Sequence, residues 1–211
     1  SMSLPSSAAR IAFSAVREGK ENIYVRDMRT GAERAVTTGG GTQPDASPVG
    51  DRILFTQIGS DGPGTAGIFC ADLSRATDEN RPAGQQAFRV TAGALDGFPR
   101  WGPDGKGLVF CRVTRDVNHN GVLDVEDGWG LWVVRDVEDP HPLPHPLQVT
   151  PGTSKDLLPR WGQDGRIFFA TDRGGNFDLW SVALEGVLHE ARLFHSFVRG
   201  AKGWVEVKGG N

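Results

Sequence analysis

The sequence predicts an all-β domain built from repeated, four-stranded antiparallel units. Glycine and proline account for 29 and 13 of the 211 residues, a composition that favours turn-rich β structure over helices. The 6 tryptophans and 11 phenylalanines lie mostly in short β-branched runs bounded by turn residues. An octapeptide also recurs almost unchanged at 99–106 and 159–166, which indicates internal repetition.

Composition argues against two classes of partner. The formal net charge is -3 and no cluster of Lys or Arg occurs, so we expect no nucleic-acid binding. The longest apolar stretches, such as 107–111 and 130–134, are far shorter than the roughly 18 residues that a membrane-spanning helix needs. We therefore expect no membrane insertion by this segment. Residues 1–9 lack the pattern of a secretory signal and are interpreted as a tag remnant or N-terminal extension.

The repeated octapeptide predicts the first two strands of each unit. Its copies read Pro-Arg-Trp-Gly-Pro-Asp-Gly-Lys and Pro-Arg-Trp-Gly-Gln-Asp-Gly-Arg, and a weaker copy lies at 44–51. The Asp-Gly or Gly-Asp pair favours a two-residue hairpin turn, because these residues tolerate positive φ. An apolar run ending in Phe follows each copy or stands alone at the start of the chain, at 53–55, 108–110, 167–169 and 11–13.

Two further strands complete each unit. The third combines an apolar residue with an aromatic one, at 23–24, 68–69, 131–132 and 179–180. A fourth, edge-like strand lies at 34–37, 88–91 and 147–150, and less clearly at 192–194. Short strands repeated in this way predict a β-propeller, in which each sheet hides both faces against its neighbours. The predicted blades cover about 10–38, 43–91, 98–150 and 158–196.

The hairpin, the apolar run, the Ile-Tyr-Val type strand and the Val-Thr ending together resemble the TolB-type propeller repeat. The resemblance covers about 10–195, with departures where Gly102 and Gly162 replace Ser, Ala46 replaces Trp and Ala183 replaces Asp. Similar repeats occur in propellers of prolyl-oligopeptidase-like peptidases and in sensor regions of bacterial surface proteins. The resemblance implies a periplasmic or extracellular bacterial protein.

Propellers of this type usually have six to eight blades, so about four blades are either a fragment or half of a larger ring. A second copy of the chain could complete such a ring as a homo-oligomer. A leftover apolar segment at 203–207 predicts a further strand. It could close the ring by completing the blade that 11–13 begins, which would remove an open sheet edge.

The most chemically specific stretch runs from Asp116 to Asp127, where the third blade needs only a plain hairpin. Its spacing matches an EF-hand loop, with Gly121 at the sharp turn of position 6. Ca²⁺ prefers six to eight hard oxygen ligands, and a tightly coiled loop delivers alternate side chains inward. The alternative is a solvated polar hairpin without metal. The candidate calcium ligands are Asp116, Asn118, Asn120, the backbone carbonyl of Val122, Asp124 and Asp127.

This loop resembles those of dockerins more than paired EF-hands, because position 12 is Asp and no helical periodicity flanks it. We expect the ion to order the hairpin, since the three candidate carboxylate ligands would otherwise repel one another. A catalytic role for the ion is not expected, because a loop that supplies most ligands leaves few open positions.

Other candidate sites are weaker. His189 and His195 are six residues apart, so they do not match the zinc-protease helix, whose histidines are four apart. His141 and His145 alternate with prolines, which favours an extended loop over a metal site. No Gly-x-Ser-x-Gly elbow occurs, and the chain is predicted to be non-enzymatic.

Two cysteines, Cys70 and Cys111, each lie within a predicted strand. Cysteines in such apolar runs are more often buried thiols than disulfide partners. We therefore expect both to be buried and reduced.

The functional hypothesis is a binding or scaffold module for a protein or peptide. The outer-to-inner connections at 39–43, 92–98 and 152–157 should emerge at the same end as the calcium hairpin. One alternative is a non-catalytic propeller region of a larger enzyme or surface receptor, such as a prolyl-oligopeptidase-like peptidase or a sensor kinase. Another is a polysaccharide-lyase-like propeller, which needs convergent His and acidic residues that these repeats do not offer.

Overall fold

A computed structural model describes residues 10–59, 65–75, 87–137, 145–184 and 204–206. These residues form fifteen β-strands and one short 3-10 helix, Leu73–Arg75. The strands make four antiparallel sheets, one of three strands and three of four. The all-β prediction of repeated antiparallel sheets is therefore confirmed.

The strands of each sheet follow one another in chain order. The first sheet contains β1 Arg10–Arg17, β2 Lys20–Asp27 and β3 Glu33–Ala35. The second contains β4 Thr42–Ala46, β5 Arg52–Gln57, β6 Gly67–Asp72 and β7 Phe88–Arg89. The third contains β8 Asp96–Trp101, β9 Leu108–Arg115, β10 Gly128–Val134 and β11 Leu147–Gln148. The fourth contains β12 Asp156–Trp161, β13 Arg166–Thr171, β14 Asp178–Ala183 and β15 Trp204–Glu206.

Strand β15 is the outer strand of the fourth sheet. It pairs antiparallel with β14, with Trp204 opposite Val182. This pairing uses backbone groups of β14 that would otherwise form an open edge. The ring-closing position predicted for 203–207, beside the first sheet, is thus corrected, and the outer strand predicted at 192–194 lies outside the described residues.

The core lies between consecutive sheets. Three buried apolar clusters fill the spaces between the first and second, second and third, and third and fourth sheets. Phe55, Phe110 and Phe169 each face the preceding sheet and are at most 1% exposed. Burying a phenylalanine stabilises a fold by roughly 1.5–3 kcal/mol. The recurring aromatic slot is therefore core, as the repeat predicts.

A threonine hydroxyl explains why the outer strands end in Val-Thr. In three sheets its oxygen accepts a hydrogen bond from a backbone N–H of the strand next to the outer strand, beside the hydrogen bond that the preceding valine N–H donates to the same residue. The pairs are Thr37 with Ile23 at 2.9 Å, Thr91 with Ile68 at 3.0 Å and Thr150 with Leu131 at 2.8 Å. The motif therefore ties the outer edge of each of these sheets.

In the second, third and fourth sheets, the turns between the first and second strands are longer than the predicted two-residue hairpins. In the third sheet the Gly102 N–H donates to the Gly107 carbonyl, and the Gly105 N–H donates to the Gly102 carbonyl. Gly105 has φ of 66°, whereas Asp104 accepts a hydrogen bond from the Lys106 N–H at 2.9 Å. Only the glycine needs positive φ, because the aspartate supports the turn through its side chain.

A bulge recurs in the first strand of the second, third and fourth sheets, β4, β8 and β12, which we call the inner strands. The residue before the repeated proline has φ of 53–54° at Gln43, Phe98 and Leu158. The pairing register shifts at the same place in β4, β8 and β12. Non-glycine residues rarely adopt this conformation, so its recurrence marks a shared constraint on the inner strands.

Three charged side chains from consecutive inner strands converge beyond these bulges. The Arg100 and Arg160 guanidinium groups lie 3.8 and 3.7 Å from the same Asp45 carboxylate oxygen. The other Asp45 oxygen accepts the Trp101 backbone N–H at 2.8 Å. Asp45 lies in the second sheet and Arg160 lies in the fourth. Side chains from these two sheets can meet only on the inner side of the strands. Burial raises the pKa of Asp45 and lowers the pKa of Arg100.

Replacing Thr150 with Val should lower the free energy of unfolding by roughly 1–3 kcal/mol, because the buried Leu131 N–H loses its acceptor. Thr150→Ser keeps the hydroxyl and should cost clearly less. Urea unfolding of both variants measures the difference. Equal losses in the two variants would show that the hydroxyl does not tie the strand.

Asp45 should make stability fall as pH rises from its ordinary pKa of 3.8, because its folded-state pKa lies above that value. The folded state then binds more protons than the unfolded state in this window, so ionisation opposes folding. Urea unfolding of the wild type and Asp45→Asn across this pH range should show the wild type losing stability relative to the variant. Asp104→Asn, at an exposed turn, controls for loss of one carboxylate. A relative gain by the wild type would contradict the assignment.

Candidate functional site

The loop 116–127 joins β9 and β10 of the third sheet, which is the position predicted for the inserted hairpin. The equivalent connection in the fourth sheet, 172–177, is half as long. Because both loops join second and third strands, they emerge at the same end of their sheets. The insertion therefore extends that end of the molecule.

The first half of the loop is wound around its own polar side chains. The Asp116 carboxylate accepts the Asn120 and Gly121 backbone N–H groups at 3.2 and 2.8 Å. Asn118 accepts the Asn120 N–H at 3.0 Å, and Asn120 accepts the Val122 N–H at 2.7 Å. Gly121 has φ of 82°, which permits the sharp turn. Oxygens of alternate side chains consequently lie on the inside of the coil.

The second half of the loop is held by buried Asp127. Its carboxylate accepts the Val117 and Asp124 backbone N–H groups, both at 3.1 Å, and it is 0% exposed. Asp124 in turn accepts the Glu126 N–H at 2.8 Å. Asp127 therefore ties the two ends of the loop together.

The potential metal ligands in the loop are carboxylate, amide and backbone oxygens. Such ligands suit Ca²⁺ and not the nitrogen and sulfur preferences of zinc. Within the described ranges, no group of three or more His, Cys, Asp or Glu side chains is placed to hold a metal. A calcium site here would depend on Asn118, Asn120 and the Val122 carbonyl as well as on carboxylates.

The base of the loop packs against the connection that leads into β12. The Trp129 N–H donates to the Ser154 carbonyl at 2.9 Å, and a Cβ on Gly128 would overlap the Gly152 carbonyl oxygen. Lys155 lies 3.2 Å from Glu126 of the loop. The predicted common end for the loop and the 152–157 connection is thus confirmed by direct contact.

Two buried carboxylates that the sequence analysis did not single out lie at the starts of inner strands. Asp96 pairs with Arg112 at 2.5 and 2.8 Å, and Asp156 pairs with Arg173 at 2.6 and 2.7 Å. Each guanidinium also lies 5.1–5.4 Å from the centres of two aromatic rings. These bidentate pairs anchor the inner strands. The sequence did carry a signal for these pairs, since an Asp stands three residues before the proline that begins each octapeptide copy.

The remaining candidates contribute no assembled site among the described residues. His145 is exposed, whereas His141, His189 and His195 lie outside the described ranges. Cys70 and Cys111 are buried and form no disulfide, as predicted, and burial raises the pKa of the Cys111 thiol. No helix in the described part of the chain is long and apolar enough to cross a membrane.

Known structures resemble this fold, although no protein-family model and no curated protein matches the sequence. A putative TolB from Agrobacterium tumefaciens is 19% identical, with a TM-score of 0.62 over 86% of this chain and 60% of that one. TolB from Acinetobacter baumannii is 22% identical, with a TM-score of 0.58 over 82% of this chain and 38% of that one. A puromycin-hydrolyzing peptidase from Mycobacterium tuberculosis is 16% identical, with a TM-score of 0.57 over 83% of this chain and 28% of that one.

This chain spans less than two thirds of each of these three proteins. Identities of 16–22% establish similarity of fold and not of activity. Together with the four antiparallel sheets, they show that the chain has a TolB-like β-propeller fold.

Proposed function

We propose that this propeller is a non-enzymatic module that binds a protein or peptide at the end where the loop 116–127 emerges, and that Ca²⁺ orders that loop. The observation that carries the proposal is a set of exposed apolar side chains on the loops of this end. The expected setting is the periplasm or the outside of a bacterial cell, as the repeat implies.

The apolar side chains lie on two neighbouring loops. Val122, Leu123 and Val125 in the inserted loop are 60%, 49% and 57% exposed, and Phe177 in the 172–177 loop is 55% exposed. Exposed apolar groups that share one end of a molecule favour a protein partner, which would remove them from water. The aromatic ring of Phe177 offers the largest contact area of the four.

Calcium would act on the same loop. Asp116, Asp124 and Asp127 bring three negative charges into twelve residues, and a divalent cation would offset their repulsion. The ion would be held by these side chains with Asn118, Asn120 and the carbonyl of Val122. It would thereby hold the apolar residues 122, 123 and 125 in one arrangement for a partner.

A second reading is a non-catalytic propeller region of a larger enzyme or surface receptor. Its support is the fold similarity to a peptidase of which this chain spans 28%. The length of the native reading frame separates the two readings, because the second requires an adjoining catalytic, membrane or receptor segment. Assembly with a second copy into a larger ring stays a prediction, which the mass in solution would test.

Millimolar Ca²⁺ should stabilise the protein by about 1 kcal/mol if the site has the affinity of extracellular calcium modules. Thermal melting with added Ca²⁺ and with a chelator measures the shift. Asp116→Asn should reduce the response, because one charged ligand is lost. Asp104→Asn removes a carboxylate from an exposed turn elsewhere and should keep the full response. Identical melting curves with Ca²⁺ and with chelator would contradict calcium binding.

Replacing Phe177 or Leu123 with Asp should weaken partner binding at least tenfold, about 1.4 kcal/mol, because each change places a charge in the proposed contact. Immobilised protein and quantitative mass spectrometry of proteins captured from the source cells measure the effect. Met28→Asp is the matched control, since Met28 is also exposed but lies in the turn between β2 and β3, which corresponds to the β10–β11 connection and so emerges at the opposite end. An equal loss for Met28→Asp would overturn the location of the surface.

A further inference from the structure

The inner strands carry an unequal set of charges at one repeated position. The residue after the repeated proline is Asp45 in the second sheet, Arg100 in the third and Arg160 in the fourth. Both arginines approach the same carboxylate, so the cluster has two positive groups and one negative group. One positive charge is therefore left over where the three strands converge.

Asp45 does not satisfy the hydrogen-bonding capacity of the two arginines. Its distances to Arg100 and Arg160, 3.8 and 3.7 Å, are longer than hydrogen bonds. The Arg100 Nη1 donates to the Pro99 carbonyl at 3.0 Å. The Arg100 Nε is buried and has no hydrogen-bond partner among the described residues. A buried donor without a partner costs free energy, so Arg100 is incompletely hydrogen-bonded by the protein.

The two arginines differ in access. The Arg100 side chain is 18% exposed and is held against the inner strands, whereas the Arg160 side chain is 66% exposed. A ligand can therefore reach the cluster from the side of Arg160 and meet the less exposed Arg100 behind it. A guanidinium group presents a planar fork of donors that matches the two oxygens of a carboxylate.

We infer that Arg100 and Arg160 form a binding site for a carboxylate group of a peptide, either its C-terminus or an acidic side chain. A carboxylate neutralises the single excess charge, whereas a doubly charged phosphate would exceed it and face Asp45. The peptide part of this inference rests on the proposed binding function. The carboxylate site itself rests only on the cluster.

The test uses ¹⁵N-labelled protein at constant ionic strength, with the arginine Nε–Hε signals followed by NMR. The probes are acetate, acetyl-trialanine with a free C-terminus, the same peptide amidated, an amidated acetyl-Ala-Glu-Ala, and inorganic phosphate. Acetate and the two peptides that carry a carboxylate should shift the Arg100 and Arg160 signals to saturation. Amidated trialanine should not. The free C-terminus and the glutamate arms distinguish the two sources of the carboxylate.

Variants separate binding from a structural role. Arg160→Gln, at an exposed position, should weaken acetate binding by about tenfold, since one of two guanidinium groups is lost. Arg34→Gln, on the exposed outer strand β3, should leave it unchanged. Asp45→Asn should strengthen binding by about threefold or more, because the competing negative charge is removed. A residue with a purely structural role would not produce this gain.

Unchanged acetate binding in Arg160→Gln, or equal binding of amidated trialanine, would overturn the site. Phosphate binding tighter than acetate would overturn the choice of carboxylate. Acetate binding that requires Arg160, with neither peptide binding more tightly than acetate, would support the carboxylate site and count against a peptide as its ligand.

Discussion

Apolar packing between neighbouring sheets is the interaction on which the rest of the structure depends. A sheet of four strands, some only two or three residues long, has little internal stability, so it must bury both faces against others. Phe55, Phe110 and Phe169 repeat the same contact from sheet to sheet. This packing sets the inner strands side by side, and that arrangement brings charges from separate repeats together.

The local features of the fold were predictable from sequence because their causes are local. Strand positions, the aromatic slot and the Val-Thr ending each depend on residues within one repeat. The turn at Gly105 was placed correctly but its length was not, since Asp104 supports a longer turn through its side chain. Strand β15 could not be placed, because a pairing between distant segments depends on which edge is open and not on the segment itself.

The candidate sites also differ in whether their residues are close together or far apart in the sequence. The loop 116–127 is a contiguous motif, so its candidate ligands could be named from spacing alone. The cluster of Asp45, Arg100 and Arg160 joins side chains up to 115 positions apart in numbering, and its members look like ordinary repeat variation in sequence. The Arg112 and Arg173 pairs were missed for a related reason, because the two arginines occupy different offsets from the repeated Phe and become equivalent only in space.

The close approach of Gly128 to Gly152 leaves no room for the loop base to slide over the connection entering β12. The parallel bridge between Trp129 and Lys155 fastens the same two segments through their backbones. The base of the inserted loop is therefore joined directly to the segment that leads into the strand carrying Arg160. The inserted loop and the inner strand of the fourth sheet thus share one backbone junction, and its closest approach is between two residues that have no side chains.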